Sequence, residues 1–258
     1  MSPRILVLAG LAVLLAVAAP AQGLIKDINP NFSGAASNSS PSAITPAGAQ
    51  KVYFAASNRA GRELWSSDGT AAGTRQVRDI AIGTGDSNPG NFATTLTSGI
   101  TLFAATDSEH GRELWKTDGT EQGTVLLSDI FLGTGSSSPS DLYAHQGFIY
   151  FAANDGVHGR ELWRSDGTTA GTFMILDIHN AGSGSSSPAS FCSLGLVLLF
   201  SAFDGSGGRE LWRTGIGPTA RVADVEPGSG GSDPDELVLL SQNRVLFSAT
   251  TTASGREL

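Results

Sequence analysis

One pentapeptide constrains this chain more than anything else in it. Gly-Arg-Glu-Leu-Trp stands at residues 61–65, 111–115, 159–163 and 208–212, and a further copy opens at Gly255 and runs to Leu258. The four tryptophans are 50, 48 and 49 residues apart, and every tryptophan in the chain belongs to this phrase. Three other series keep the same beat. Phe54, Phe103, Phe151, Phe200 and Phe247 sit in short apolar runs. Pro41, Pro89, Pro139, Pro188 and Pro234 end loops rich in Ser, Gly, Asn and Asp. Asp27-Ile28, Asp79-Ile80, Asp129-Ile130, Asp177-Ile178 and Asp224-Val225 form the last. Self-similarity at this period means one supersecondary unit copied in tandem, each copy burying its apolar face on its neighbours.

The third copy shows the layout. Residues 125–130 read as a short strand, and a Gly/Ser/Pro loop follows over 133–139. Residues 141–145 read as a second strand. The continuous apolar run 148–153 suits a strand covered on both faces. Asn154-Asp155-Gly156 is turn chemistry, and 160–165 is a fourth strand before the Asp166-Gly167 turn. No stretch sustains a helical apolar period. Four short strands in about 48 residues match the blade of a β-propeller. The expected fold is therefore all-β: propeller-like tandem units of four antiparallel strands each. The units span 24–74, 75–124, 125–172, 173–219 and 220–258, the last incomplete. The phrase calls for a tryptophan after Leu258, so the chain is expected to be part of a longer protein.

The N-terminal segment is set apart from this fold. Arg4, the apolar run 5–18 and the small residues Ala19-Pro20-Ala21 fit a secretory signal peptide over 1–21. The run is too short to read as a membrane span. The expected destination is extracellular, at the cell surface or in the periplasm, with no membrane span after cleavage. A formal net charge of −8 argues against a nucleic-acid partner. Cys192 is the only cysteine, so no intramolecular disulfide supports the exported fold.

The phrase extends beyond the pentapeptide. Glu63-Leu64-Trp65-Ser66-Ser67-Asp68-Gly69-Thr70 has counterparts at 113–120 and 161–168, each followed by a second Gly-Thr at 73–74, 123–124 and 171–172. In these residues the chain resembles the ELWxxDGT repeat family of bacterial secreted proteins. The resemblance covers essentially everything after the signal peptide, and it implies a propeller-like extracellular protein without an assigned activity. The fourth unit departs from the pattern: Arg213-Thr214-Gly215-Ile216-Gly217-Pro218 follows Trp212, and the Asp-Gly-Thr turn is missing.

Residues present in every unit of such an array read as architecture. Five Arg/Glu pairs (Arg62/Glu63, Arg112/Glu113, Arg160/Glu161, Arg209/Glu210, Arg256/Glu257) are expected to lie between packed blades. Their expected partners are the Asp of the Asp-Ile phrase and backbone amides. The tryptophans read as core wedges. Asp107, Asp155 and Asp204 raise the question of calcium, but their spacing is not that of an EF-hand, and side-chain-capped turns are the simpler reading. His110 and His158 are equivalent positions in adjacent units, too far apart to share a zinc ion. Function is expected where the symmetry breaks, among Glu109, Glu121, His145, His179, Glu226, Asp233, Asp235 and Glu236. No catalytic, cofactor or metal residue is assigned, and the ligand-binding residues are left open.

The function expected from these features is a non-catalytic secreted repeat scaffold for extracellular or cell-surface interaction and adhesion. Its partner would be an extracellular protein or a glycan. The alternative is a carbohydrate-binding propeller using rim loops. A propeller glycoside hydrolase ranks third, on fold analogy alone.

Overall fold

The computed structural model describes residues 24–29, 38–48, 50–95 and 99–258. The expected signal peptide, residues 1–21, lies outside them. Among the described residues no helix is long and apolar enough to cross a membrane.

Among the described residues nineteen strands form five antiparallel sheets in tandem. The first sheet holds β1 (Ser42–Pro46), β2 (Val52–Asn58), β3 (Gly61–Ser67) and β4 (Arg75–Arg78). The second holds β5 (Gly90–Thr94), β6 (Thr101–Asp107), β7 (Gly111–Thr117) and β8 (Val125–Ser128). The third holds β9 (Ser140–His145), β10 (Phe148–Asn154), β11 (Arg160–Ser165) and β12 (Phe173–Leu176). The fourth holds β13 (Ala189–Leu194), β14 (Val197–Phe203), β15 (Arg209–Thr214) and β16 (Ala220–Ala223). The fifth holds β17 (Asp235–Ser241), β18 (Arg244–Thr251) and β19 (Gly255–Glu257). Within every sheet the strands follow chain order, the meander of a propeller blade.

The first strands of successive sheets pack together, β1 on β5, β5 on β9, β9 on β13 and β13 on β17, and so make the inner layer. Among the described residues the sheets do not close into a ring. Apolar side chains on the two terminal sheets, Ile44 on the first and Val238, Leu239 and Leu246 on the last, stay exposed.

Sheet membership shifts the phase of the sequence repeat. The strand that opens each sequence unit is the outer strand of the preceding sheet: β8 pairs with β7, and β12 with β11. The reason is local. The Asp-Gly-Thr segment closes a hairpin inside one blade, whereas the long Gly/Ser/Pro loop carries the chain to the next. In the hairpin of the third sheet, Asp166 Oδ1 accepts from Thr168 N–H and Oγ1, and Gly171 N–H donates to Thr168 Oγ1. Thr172 Oγ1 ties the turn to Ser165 Oγ at 2.7 Å. A Cβ at Gly171 would lie 2.1 Å from Asp166 Oδ1, which is why the second Gly-Thr needs its glycine.

Each long loop ends in two left-handed residues. The first precedes the proline (Ser40, Asn88, Ser138, Ser187, Asp233) and the second lies just inside the inner strand (Ala43, Asn91, Asp141, Ser190, Glu236), all at φ between 41° and 56°. The second falls where the register of the inner pair shifts, a β-bulge that bends the strand as it enters the sheet. Asn, Asp and small residues tolerate this conformation best, which accounts for the composition of these loops.

The core lies between sheets. Phe54, Phe103, Phe151 and Phe200 stand directly across from Trp65, Trp115, Trp163 and Trp212 on the neighbouring strand. Phe103, Ala105 and Trp115 of the second sheet pack on Tyr53, Leu64, Val77 and Ile80 of the first and its linker. The same wedge recurs where the third sheet meets the second and where the fourth meets the third.

Candidate functional site

The repeated Glu is a latch on the linker between sheets. Glu63, Glu113, Glu161 and Glu210 are fully buried, each 0 % exposed. Glu113 Oε2 accepts from Ile130 N–H at 2.9 Å and from Ser137 Oγ at 2.5 Å, while Oε1 accepts from Ser137 N–H at 2.7 Å. Glu63 holds Ile80 and Ser87 in the same way, Glu161 holds Ile178 and Ser186, and Glu210 holds Val225 and Ser232. Burial pushes the carboxyls of Glu63, Glu113 and Glu161 above their usual range, against the hydrogen bonds that pull them down.

The backbone amides expected as partners are there; the Asp of the Asp-Ile phrase is not one. Two carboxylates would repel, and the serine supplies the hydroxyl donor instead. Asp129 Oδ2 turns away to accept Gly133 N–H at 3.1 Å. The serine is a partner the sequence reading missed. Its signal was present, because a serine stands two residues before the proline in four linkers at 87, 137, 186 and 232.

The repeated Arg does not pair with the Glu beside it. Arg62, Arg112, Arg160 and Arg256 donate to the carbonyl of the residue before the loop proline, at Ser40, Asn88, Ser138 and Asp233. Among the described residues none of these arginines forms an ion pair. Desolvation lowers the pKa of Arg112, Arg160 and Arg209. The glycine before each Arg is steric in origin. Gly111 has φ 69°, and a Cβ there would lie 2.0 Å from the Gly135 carbonyl oxygen of the crossing linker.

The hairpin aspartates have their oxygens engaged by the turn. Asp155 Oδ1 accepts from Val157 N–H and His158 N–H, and Oδ2 meets His158 Nδ1 at 2.7 Å. Asp107 does the same with Glu109 and His110. Asp204 caps Ser206 and Gly207. The bond to Asp155 raises the His158 pKa, and the bond to Asp107 raises that of His110.

The symmetry-breaking residues divide between two rims. Glu109, His179, Glu226, Asp233, Asp235 and Glu236 lie on the rim formed by the linkers and the turns at 107–111, 155–159 and 204–208. Glu121 and His145 lie at the opposite end of the strands. His145 is buried, its Nδ1 2.8 Å from Ser193 Oγ of the next sheet, and burial lowers its pKa. Glu226 accepts from Thr252 N–H at 2.8 Å. Asp235 Oδ1 accepts from Ser190 Oγ at 2.6 Å.

One position on the linker rim changes at every junction: Ala81, Phe131, His179 and Glu226 all follow the Asp-Ile/Val pair. The Phe131 ring covers Gly156 of the next hairpin turn, and His179 covers Gly205, its ring 5.2 Å from that of Phe203. Between the second and third sheets this leaves a crevice of about 560 Å³. It is lined by Asp129, Phe131 and Leu132 of the linker, by Asp155 and Val157 of the next hairpin turn, and by Trp163. Among the described residues no group of three or more His, Cys, Asp or Glu side chains is placed to hold a metal ion.

No protein-family model matches the chain, and no curated protein matches it either. Solved structures do. A structure from a mechanistic study of two prolyl endopeptidases aligns with TM-score 0.51 and 14% identity, over 80% of this chain and 31% of that one. A mutant puromycin hydrolase complexed with PGG aligns at 0.47 and 12%, over 78% and 32%. A xyloglucan-locus GH43B from Bacteroides ovatus aligns at 0.35 and 18%, over 74% and 41%. The chain spans about a third of the length of the first two. At 14% identity the likeness to the prolyl endopeptidase structure shows a propeller-type all-β fold and nothing about chemistry.

Proposed function

We propose that this chain is a non-catalytic exported scaffold, a run of blades that presents its linker rim to an extracellular partner. The observation that carries this is a division of labour. The repeated polar side chains are spent on internal bonds: Glu on the linkers, Arg on the loop carbonyls, Asp on the turns. The side chains that vary at one repeat position, Ala81, Phe131, His179 and Glu226, gather on one rim, and Ile82 and Leu132 beside them stand 89 % and 81 % exposed. Loops on a rigid frame are where repeat proteins place binding residues.

The test is binding of the full chain to bacterial cell envelopes, with Ile82→Asp/Leu132→Asp on the linker rim and Leu196→Asp on the opposite rim. Binding lost only in the rim variant is the expected result. Hydrolysis of a peptide or glycoside substrate that survives repurification and vanishes with one rim carboxylate would sink the proposal.

A second reading, carbohydrate binding by the rim, is favoured by the crevice beside Phe131.

A further inference from the structure

Five linkers run from an Asp-Ile/Val pair to a Ser-x-Pro, and five glutamates carry the latch, but the two series are out of step by one. Glu63, Glu113, Glu161 and Glu210 each hold the linker that follows them, through an Ile or Val amide and a serine. This leaves over the first linker, with Asp27-Ile28 and Ser39 two residues before Pro41, and the last glutamate, Glu257. Among the described residues no hydrogen bond joins these two. Ser39 is half-buried and Glu257 exposed, whereas the four paired serines and the four paired glutamates are fully buried.

The first linker is seated on its sheet as the others are. Lys26 Nζ donates to the Thr74 carbonyl at 2.7 Å, and at the equivalent place of the next junction Arg78 donates to the Thr124 carbonyl at 2.7 Å. Ile28 packs on Phe54, Ala56 and Trp65 as Ile80 packs on Phe103, Ala105 and Trp115. Beside Ile28 lies a groove of about 450 Å³, lined by Ile25, Ile44, Val52 and Phe54. At the other junctions a pair from the preceding sheet packs at this place: Tyr53 and Leu64, Leu102 and Leu114, or Tyr150 and Leu162. The counterparts of that pair in the last sheet are Leu246 and Leu258, 45 % and 90 % exposed, and Val238 opposite Leu246 on β17 is 60 % exposed. A repeat array that stays soluble and separate caps its terminal units with polar faces. Here both terminal faces keep the apolar residues of an internal junction, and each keeps the half that the other lacks.

We propose that copies of this chain associate head to tail, the last sheet of one docking on the first sheet of another. Leu246 and Leu258 enter the groove beside Ile28 and Ile44, and Glu257 accepts from the Ile28 N–H and the Ser39 hydroxyl of the other copy. The occupant is a second copy because one chain offers both halves at the two ends of its row of sheets and does not bring them together. Such a contact is heterologous, so assembly continues until a ring closes or a filament forms.

The test is light scattering of the full chain from micromolar to millimolar concentration, where the mass should rise with concentration above that of one chain. Ile44→Asp spoils the first sheet and Leu246→Asp the last, so each variant alone should associate at least about tenfold more weakly. Mixed, the two should form a dimer and stop there, because each keeps one good end. Glu257→Ala and Ser39→Ala should each weaken association, and Leu196→Asp, on a turn outside the contact, should not. Circular dichroism of each variant separates lost association from lost fold. A monomer at every concentration overturns the proposal, including one that Glu257→Ala destabilises, which would place the junction within a single chain. Association indifferent to both Ile44→Asp and Leu246→Asp, or no dimer from their mixture, overturns it as well.

Discussion

Replacing Glu113 by Ala removes the acceptor for three buried donors at once, Ile130 N–H, Ser137 N–H and Ser137 Oγ. A buried donor left without a partner costs about 1–3 kcal/mol. Water entering the vacated space recovers part of that, so the expected loss is about 3–5 kcal/mol, the range for orphaning one side of a buried charged contact. Ser137→Ala removes one donor and leaves the carboxylate the amides of Ile130, Phe131 and Ser137, so about 1–2 kcal/mol is expected. Once Glu113 is gone the Ser137 hydroxyl has lost its acceptor, and the double variant should then cost less than the sum of the two singles. The assay is urea unfolding followed by tryptophan fluorescence, with amide exchange at Ile130 and Ser137 as a local readout, because a repeat array need not unfold in one step. Exposed Glu121→Ala is the control and should stay within about 0.5 kcal/mol of the parent. A Glu113→Ala protein as stable as that control, or additive single and double losses, would refute the latch.

Two further outcomes follow from the packing and the titrating groups. Trp115→Ala empties the wedge between the first two sheets and should cost about 3–5 kcal/mol in the same unfolding assay; a loss under about 1 kcal/mol would remove the tryptophans from the core. The pKa values of His110 and His158 are raised in the folded state by Asp107 and Asp155, so their contribution is complete below the unfolded value of 6.5 and is lost as pH rises through the folded values. Melting temperature should therefore fall as pH is raised above 6.5, and His110→Asn/His158→Asn should flatten that slope. An unchanged slope in the double variant would show that the histidines are not its source.

The sequence alone determined the strand content, the period and the turns of this protein, because those depend on neighbours along the chain. Asp166, Gly167 and Thr168 close their hairpin through bonds that span no more than a few residues, and Phe151 and Trp163 stand on neighbouring strands whose pleat fixes their faces. The structural role of the Arg-Glu pair was legible for the same reason: five equal copies are architecture. What the tertiary structure decided involves residues far apart in sequence. Glu113 meets Ser137 24 residues on, and Arg160 reaches back to the Ser138 carbonyl. Sheet membership belongs here too, since the chain crosses to the next blade at the proline loop and not at the Asp-Gly-Thr turn. The same holds for the rim. Ala81, Phe131, His179 and Glu226 look unrelated when read one after another. They become equivalent places once the linkers are laid over successive hairpin turns, and only then do Asp129 and Trp163 share a crevice with Phe131. Local hydrogen bonds and periodicity can be read from adjacent residues; the path of a linker over the next blade is fixed only by packing.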